Sequence, residues 1–266
     1  MMLFWWIVVQ ILGESLPISS SSHVHLMQKI LDFFGVSYEV FADTATIDFL
    51  LHGPTIFILL IYFFTTWWSL IFHETFAWRI PSLQKLLRPM LFVLIADIVT
   101  WMFWVGDIAH IGWVQSYFLP FGLCLTSFCL WISSYNTRDK KIVWSWADAG
   151  LLGLVQGISL MPGISRFAST YAAGIWLGYG RSSSFALSFL IQFPLLCAGL
   201  LKGLLVVYHT PQLAVTCVQL WVLGTIIFAS LISYSLFCWV AMLIRQNKLW
   251  YFAYYMIIPI MISVIV

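Results

Sequence analysis

Charged side chains are what this sequence has least of. Only 8% of its 266 residues are Asp, Glu, Lys or Arg, against about 25% in a soluble globular chain, so a water-soluble fold is excluded at the outset. The formal net charge of +2 is small and the Lys and Arg residues fall in a few short segments, which leaves no basic patch for a nucleic acid. Cysteine is equally sparse. Cys124, Cys129, Cys197, Cys217 and Cys238 are odd in number, lie in apolar runs and form no Cys-x-x-Cys pair; they read as small buried hydrophobes. The apolar start has no basic segment before it and no small-residue cleavage site after it, so it reads as part of the mature chain and not as a signal peptide.

Apolar residues, by contrast, make up 62%, and the expected fold is all-α: a polytopic membrane helical bundle, one integral-membrane domain over 1–266. A spanning helix takes about 20 apolar residues, and such runs lie near 46–72, 87–105, 117–135, 182–207, 213–243 and 249–266. Regions 1–35 and 144–180 are also apolar but are interrupted by Pro, Gly and Ser. Non-helical backbone survives at membrane depth only where protein or a water-filled cavity surrounds it. Each of these regions is therefore expected to be a re-entrant hairpin of two half-length helices.

Arg79, Lys85 and Arg88, then Arg138, Lys140 and Lys141, then Arg245 and Lys248 mark three loops as cytoplasmic. Segments 30–45, 106–116 and 208–212 carry Asp32, Glu39, Asp43 and Asp107 but no Lys or Arg, and are expected outside. Counting through the spans brings the two hairpins in from opposite faces. They also resemble each other, VQILGESLPIS at Val9–Ser19 against VQGISLMPGIS at Val155–Ser165. These features describe an inverted-topology repeat with halves of roughly 1–135 and 144–266, an arrangement that places binding sites near the midplane where broken helices meet.

The first hairpin carries QILGESLPISSSSH, from Gln10 to His23. Gln10 and Glu14, four apart on a helix, share a face and can act on one ligand. An ionisable residue inside a membrane segment points to function; the alternative is a polar pair against a neighbouring helix. Ser19 to Ser22 either cap the following helix or supply a nucleophile, with His23 as the nearby base. In the second hairpin, PGISRFAST (Pro162–Thr170) sets Arg166 among Gly, Ser and Thr. Its guanidinium keeps its proton and its planar fork matches phosphate oxygens, and a glycine-flanked break before a helix aims free N–H groups at an anion. A structural ion pair with Glu14 is the alternative. Carboxylate, histidine, hydroxyls and arginine at a helix break together describe a phosphate site. Asp48, His52 and Thr55, at i, i+4 and i+7, add a polar stripe to the next span; Ser188 and Gln192 repeat the spacing, and Asp97 is a mid-span acid without an assigned role.

With these motifs the chain resembles the undecaprenyl-pyrophosphate phosphatases of bacterial inner membranes, over nearly its whole length. The family's Glu/Gln-x-x-x-Glu and the Leu-Pro-Val-Ser-Ser-Thr-Gly-His-like run after it are matched by Gln10, Glu14 and LPISSSSH, which supplies Ser19, Ser20 and His23, with Ser21 for the Thr and Ser22 for the Gly. Its Pro-Gly-x-Ser-Arg-Ser-x-x-Thr pattern is met by Pro162, Gly163, Ser165, Arg166 and Thr170, but Phe167 replaces the second serine. Its Asp-x-x-x-His element looks like Asp48 and His52.

The resemblance implies hydrolysis of undecaprenyl pyrophosphate to undecaprenyl phosphate and phosphate, which recycles the lipid carrier of cell-wall polymers. It makes Ser20 the expected nucleophile, His23 its proton partner and Arg166 the phosphate clamp. Glu14 would orient the histidine or hold a divalent cation, Mg²⁺ or Ca²⁺. Gln10, Ser19, Ser21, Gly163, Ser165, Thr170, Asp48 and His52 are the expected substrate contacts. Direct attack by water, with Ser20 only a ligand, stays open, as does a polyprenyl-phosphate flippase that binds the headgroup without cleaving it. An outward-facing pocket and a homodimer are further expectations.

Overall fold

A computed structural model describes residues 2–36, 44–72, 82–105, 112–135, 145–210, 215–216 and 219–265. Among these residues all regular structure is helical. Arg79, Arg138, Lys140, Lys141, Glu39, Asp43 and Asp107, on which part of the charge-derived orientation rests, lie outside the described residues.

Both interrupted regions fold as pairs of half-length helices. The first pair is α1 (Met2–Ser15) and α2 (Ser20–Phe33). Pro17 between them lacks the N–H that would continue α1, and Ser19 turns the chain in a left-handed conformation, φ 64°. After α3 (Thr44–Phe72), α4 (Ser82–Val105) and α5 (Gly112–Ile132), the second pair is α6 (Trp146–Ile158) and α7 (Arg166–Trp176). Ser145 opens α6 with a capping box to Asp148, and Ser165 caps α7; each satisfies N–H groups that an uncapped helix start leaves unpaired. The chain continues through α8 (Arg181–His209), α9 (Leu220–Arg245), α10 (Tyr251–Tyr255) and α11 (Ile257–Ile265).

Among the described residues, α3, α4, α8 and α9 are long and apolar enough to cross a bilayer, and the protein is a multi-pass membrane protein. The other two expected spans, 117–135 and 249–266, give shorter apolar helices over 118–132 and 251–265. The last one is broken at Met256, where Pro259 has no N–H to return to the Tyr255 carbonyl. Phe57, Leu60, Ile61 and Phe64 are exposed on α3, as suits a face that meets acyl chains instead of water.

The helices pair across the two halves of the chain. α3 lies along α8; α4 packs on α6 and α9 on α1; α5 packs on α7 and α11 on α2. Exchanging α1–α5 for α6–α9 with the α10–α11 pair as one broken helix maps these pairs onto themselves, although the packing of α7 on α8 and of α1 on α3 has no counterpart among the described residues. Close approach needs glycine at two of the contacts. A Cβ on Gly153 would run into the Ala96 backbone of α4, and one on Gly122 into the backbone of Pro162 and Gly163. At the centre an aromatic cluster joins Phe63 and Trp67 of α3, Phe185 and Phe189 of α8 and Phe237 of α9. Phe167 belongs to it, its ring centroid 4.8 Å from that of Phe189, so the residue standing in place of the motif serine is a core side chain.

Candidate functional site

The turns of both hairpins end at one cavity of about 230 Å³, to which α1, α2, α3, α7 and α8 contribute. Gln10, Glu14, Ser19, Ser20, Ser21, Asp48, His52, Ser165 and Arg166 all line it. Nine of the residues singled out in the sequence are thus brought together from four separate helices and their caps. Ser19–Ser21 begin α2 and Ser165–Arg166 begin α7, so two helix N-termini, with their unpaired N–H groups and positive dipole ends, border the same space.

The hairpins are tied to each other beneath the cavity. The backbone N–H of Gly163 donates to the Ser22 hydroxyl at 2.8 Å, and Ser22 shares a 2.7 Å hydrogen bond with Ser19. Thr126 of α5 clamps the same turn, donating to the Gly163 carbonyl and accepting from the Ser165 N–H, both at 2.8 Å. Gly163 itself has φ 89°, a region that glycine enters without penalty.

Glu14 is the hub of the polar wall. One carboxylate oxygen accepts from Gln10 Nε2 at 3.2 Å and from His52 Nδ1 at 2.8 Å, and the other accepts from the Thr55 hydroxyl. Because a carboxylate only accepts, His52 donates this bond from Nδ1. Asp48 accepts from the Trp6 indole at 2.7 Å. Arg166 has Glu14 and Asp97 as its nearby counter-charges, and its Nε is buried with no hydrogen-bond partner among the described residues. The Ser20 hydroxyl likewise has no partner among them, while Ser20 presses so closely on α1 that a Cβ on Gly13 would meet its Cα at 2.8 Å.

One expected catalytic residue, His23, and two expected substrate contacts, Gly163 and Thr170, stand elsewhere. His23 does not line the cavity: Nδ1 meets the Ser19 carbonyl at 2.9 Å, Nε2 meets the Tyr255 hydroxyl at 3.1 Å, and the ring stacks on Tyr255 at 5.8 Å. Gly163 is turned toward α5 by its packing on Leu119 and Leu123. Thr170 spends its hydroxyl on the Arg166 carbonyl at 2.7 Å. Two cavity residues carried too weak a sequence signal to be assigned. Ser159 lies just after α6, and Gln192 lines the wall from α8, whereas Ser188, with the same spacing signal, bonds back to Ser184 at 2.7 Å. Asp97 accepts from Gln156 Nε2 at 3.2 Å.

Among the described residues no group of three or more His, Cys, Asp or Glu side chains is arranged to hold a metal. A hard cation also takes amide oxygens. Gln10 Oε1 and Gln192 Oε1 are buried acceptors with no donor among the described residues, in the same cavity as the Glu14 carboxylate. These oxygens, with the Glu14 carboxylate, are the hard donors in the cavity that could hold a cation such as Mg²⁺ or Ca²⁺.

The chain matches the family model described as "Bacitracin resistance protein BacA" over residues 4–262. It is 30% identical to an undecaprenyl-diphosphatase of Halothermothrix orenii over 266 residues, covering 97% of this chain and 95% of that protein. An undecaprenyl-diphosphatase of Vesicomyosocius okutanii is 29% identical, with 94% and 93% covered, and one of Oceanobacillus iheyensis is 27% identical, with 96% and 94% covered.

Proposed function

The chain belongs to the bacitracin resistance protein BacA family, and from that membership and its cavity we propose that it is an undecaprenyl-diphosphatase, releasing phosphate from undecaprenyl pyrophosphate and returning the monophosphate carrier to cell-wall polymer synthesis. One observation carries the site assignment. Arg166, whose buried Nε has no hydrogen-bond partner among the described residues, meets Ser20 and the N-termini of α2 and α7 in a single cavity.

Phosphoryl transfer depends mainly on positioning and charge stabilisation. Arg166 and the N–H groups that begin α2 and α7 would hold the terminal phosphoryl oxygens. Ser20 Oγ attacks phosphorus, the bond to the bridging oxygen breaks, and undecaprenyl phosphate leaves; water then releases phosphate from the serine. His52 lines the same cavity as Ser20 and is fixed by Glu14 through Nδ1, whereas His23 does not line it, so His52 is the candidate to take the Ser20 proton, in the arrangement by which a buried acid orients a catalytic imidazole. Gln10, Glu14 and Gln192 would hold a divalent cation, which screens pyrophosphate charge when bound.

The exchange-symmetric pairing of the helices supports an inverted repeat, with the hairpins entering from opposite faces. Residence in the bacterial inner membrane and pairing of two copies extend the same reading, and cross-linking in isolated membranes reads out both. Purified protein given undecaprenyl pyrophosphate should release stoichiometric phosphate. Headgroup binding or lipid transfer without phosphate release would replace the hydrolase with a flippase.

A further inference from the structure

Arg166 and His52 each line a second cavity as well, on the far side from the serines. It holds about 330 Å³ between α3, α4 and α8. We propose that this cavity seats the first isoprenyl units of the lipid pyrophosphate, holding the chain where it joins the phosphate and leading it sideways into the bilayer; this rests on the hydrolase reading of the adjoining site.

The walls change character along its length. The inner end is formed by Arg166 and by Thr100, which is 0% exposed and donates its hydroxyl to Ala96 and Gly153 carbonyls. It offers no further charge to a headgroup. The outer end is formed by Trp101 and Trp104, exposed by 57% and 53%, together with Leu195, Ala198 and Lys202. Trp101 and Trp104 lie toward the C-terminal end of α4 and Lys202 toward that of α8, Leu195 and Ala198 lie near the middle of α8, and Phe49 lies toward the N-terminal end of α3. All three helix ends belong to one side of the membrane, so the cavity opens laterally near one face.

Charge and size favour a prenyl chain over a second anion. The Lys202 ammonium lies 4.9 Å from the Phe49 ring centroid and 5.7 Å from that of Trp104. It is therefore held on aromatic faces while its methylene stem lies along the cavity. Gly199 has no side chain to fill the space, and a Cβ there would stand 2.7 Å from His52. A polar cavity cannot take an apolar chain without stranding its hydrogen-bonding groups, so a substrate anchored at Arg166 needs an apolar exit starting at that same residue. Lipid is as apolar as these walls, so the seat contributes by orienting the scissile bond more than by burial.

A prenyl pyrophosphate analogue carrying a diazirine on its first isoprenyl unit tests this with the full-length protein in bilayers. Labelling should map to Trp101, Trp104, Leu195 or Ala198 and be suppressed by excess undecaprenyl phosphate. Labelling concentrated in the apolar cavity at Phe128 and Trp176, or insensitive to competitor, would overturn it. Ala198→Trp, which fills the cavity, should lower kcat/KM for undecaprenyl pyrophosphate at least tenfold, and an unchanged value would also overturn it. The two proposals fail separately. A wild-type protein that releases no phosphate refutes the hydrolase, whereas labels elsewhere on an active enzyme refute only the seat.

Discussion

The Gly163 N–H donates to the Ser22 hydroxyl at 2.8 Å, a hydrogen bond between hairpin turns 141 residues apart. Ser22 is only 3% exposed, so Ser22→Ala leaves a buried N–H unpaired and should cost about 1–3 kcal/mol of stability. Gly163→Ala should be worse. It forces a side chain into a left-handed conformation, and its Cβ would stand 2.5 Å from the Leu119 carbonyl. Melting temperatures in detergent should fall in the order wild type, Ser22→Ala, Gly163→Ala; an unshifted Gly163→Ala would mean the turns are not locked together.

Glu14 receives Gln10, His52 and Thr55, whereas Gln10 has one donor bond, to Glu14. Glu14→Gln should therefore reduce phosphate release far more than Gln10→Ala, by about 10²-fold or more if orientation of the base is lost. Equal losses from the two would remove Glu14 from the centre of the polar wall.

The two histidines separate cleanly. His52→Ala should lower kcat by about 10²–10⁴-fold, the usual contribution of a general base. His23→Phe keeps the stack on Tyr255 and should retain most activity. The reverse ranking, measured as kcat on undecaprenyl pyrophosphate, would restore His23 as the proton partner.

Chelation tests the cation. Removing divalent ions should abolish most turnover and Mg²⁺ or Ca²⁺ should restore it, while Gln192→Leu should raise the cation concentration needed for half-maximal rate. A rate untouched by exhaustive chelation would leave Gln10 and Gln192 as plain wall residues.

The broken helices and most of the cavity were legible because their signals are local. Proline, glycine and serine inside apolar runs have few tolerable structures in a membrane, and Gln10–Glu14 or Asp48–His52 spacings fix a shared helical face. What was not legible depends on long-range packing. His23 is engaged elsewhere, its Nε2 sharing a hydrogen bond with Tyr255, 232 residues on. The partner of Asp97 is set by α4 lying on α6. Gln192 and Ser188 carry the same spacing, yet only the longer side chain reaches the cavity. Phe167, which stands where the motif has its second serine, is held by an aromatic cluster whose other members come from distant helices.

The account stands or falls on Arg166, and phosphate release by purified, correctly inserted Arg166→Ala and Arg166→Lys proteins tests it most directly. Arginine placed on a transferring phosphoryl group contributes on the order of 10³–10⁵ in rate, and a lysine cannot reproduce its bidentate fork. Both variants should fold, as judged by melting temperature, and both should lose at least about 10³-fold in phosphate release from undecaprenyl pyrophosphate. Near-normal turnover by Arg166→Ala would contradict the assignment of this cavity as the reaction site.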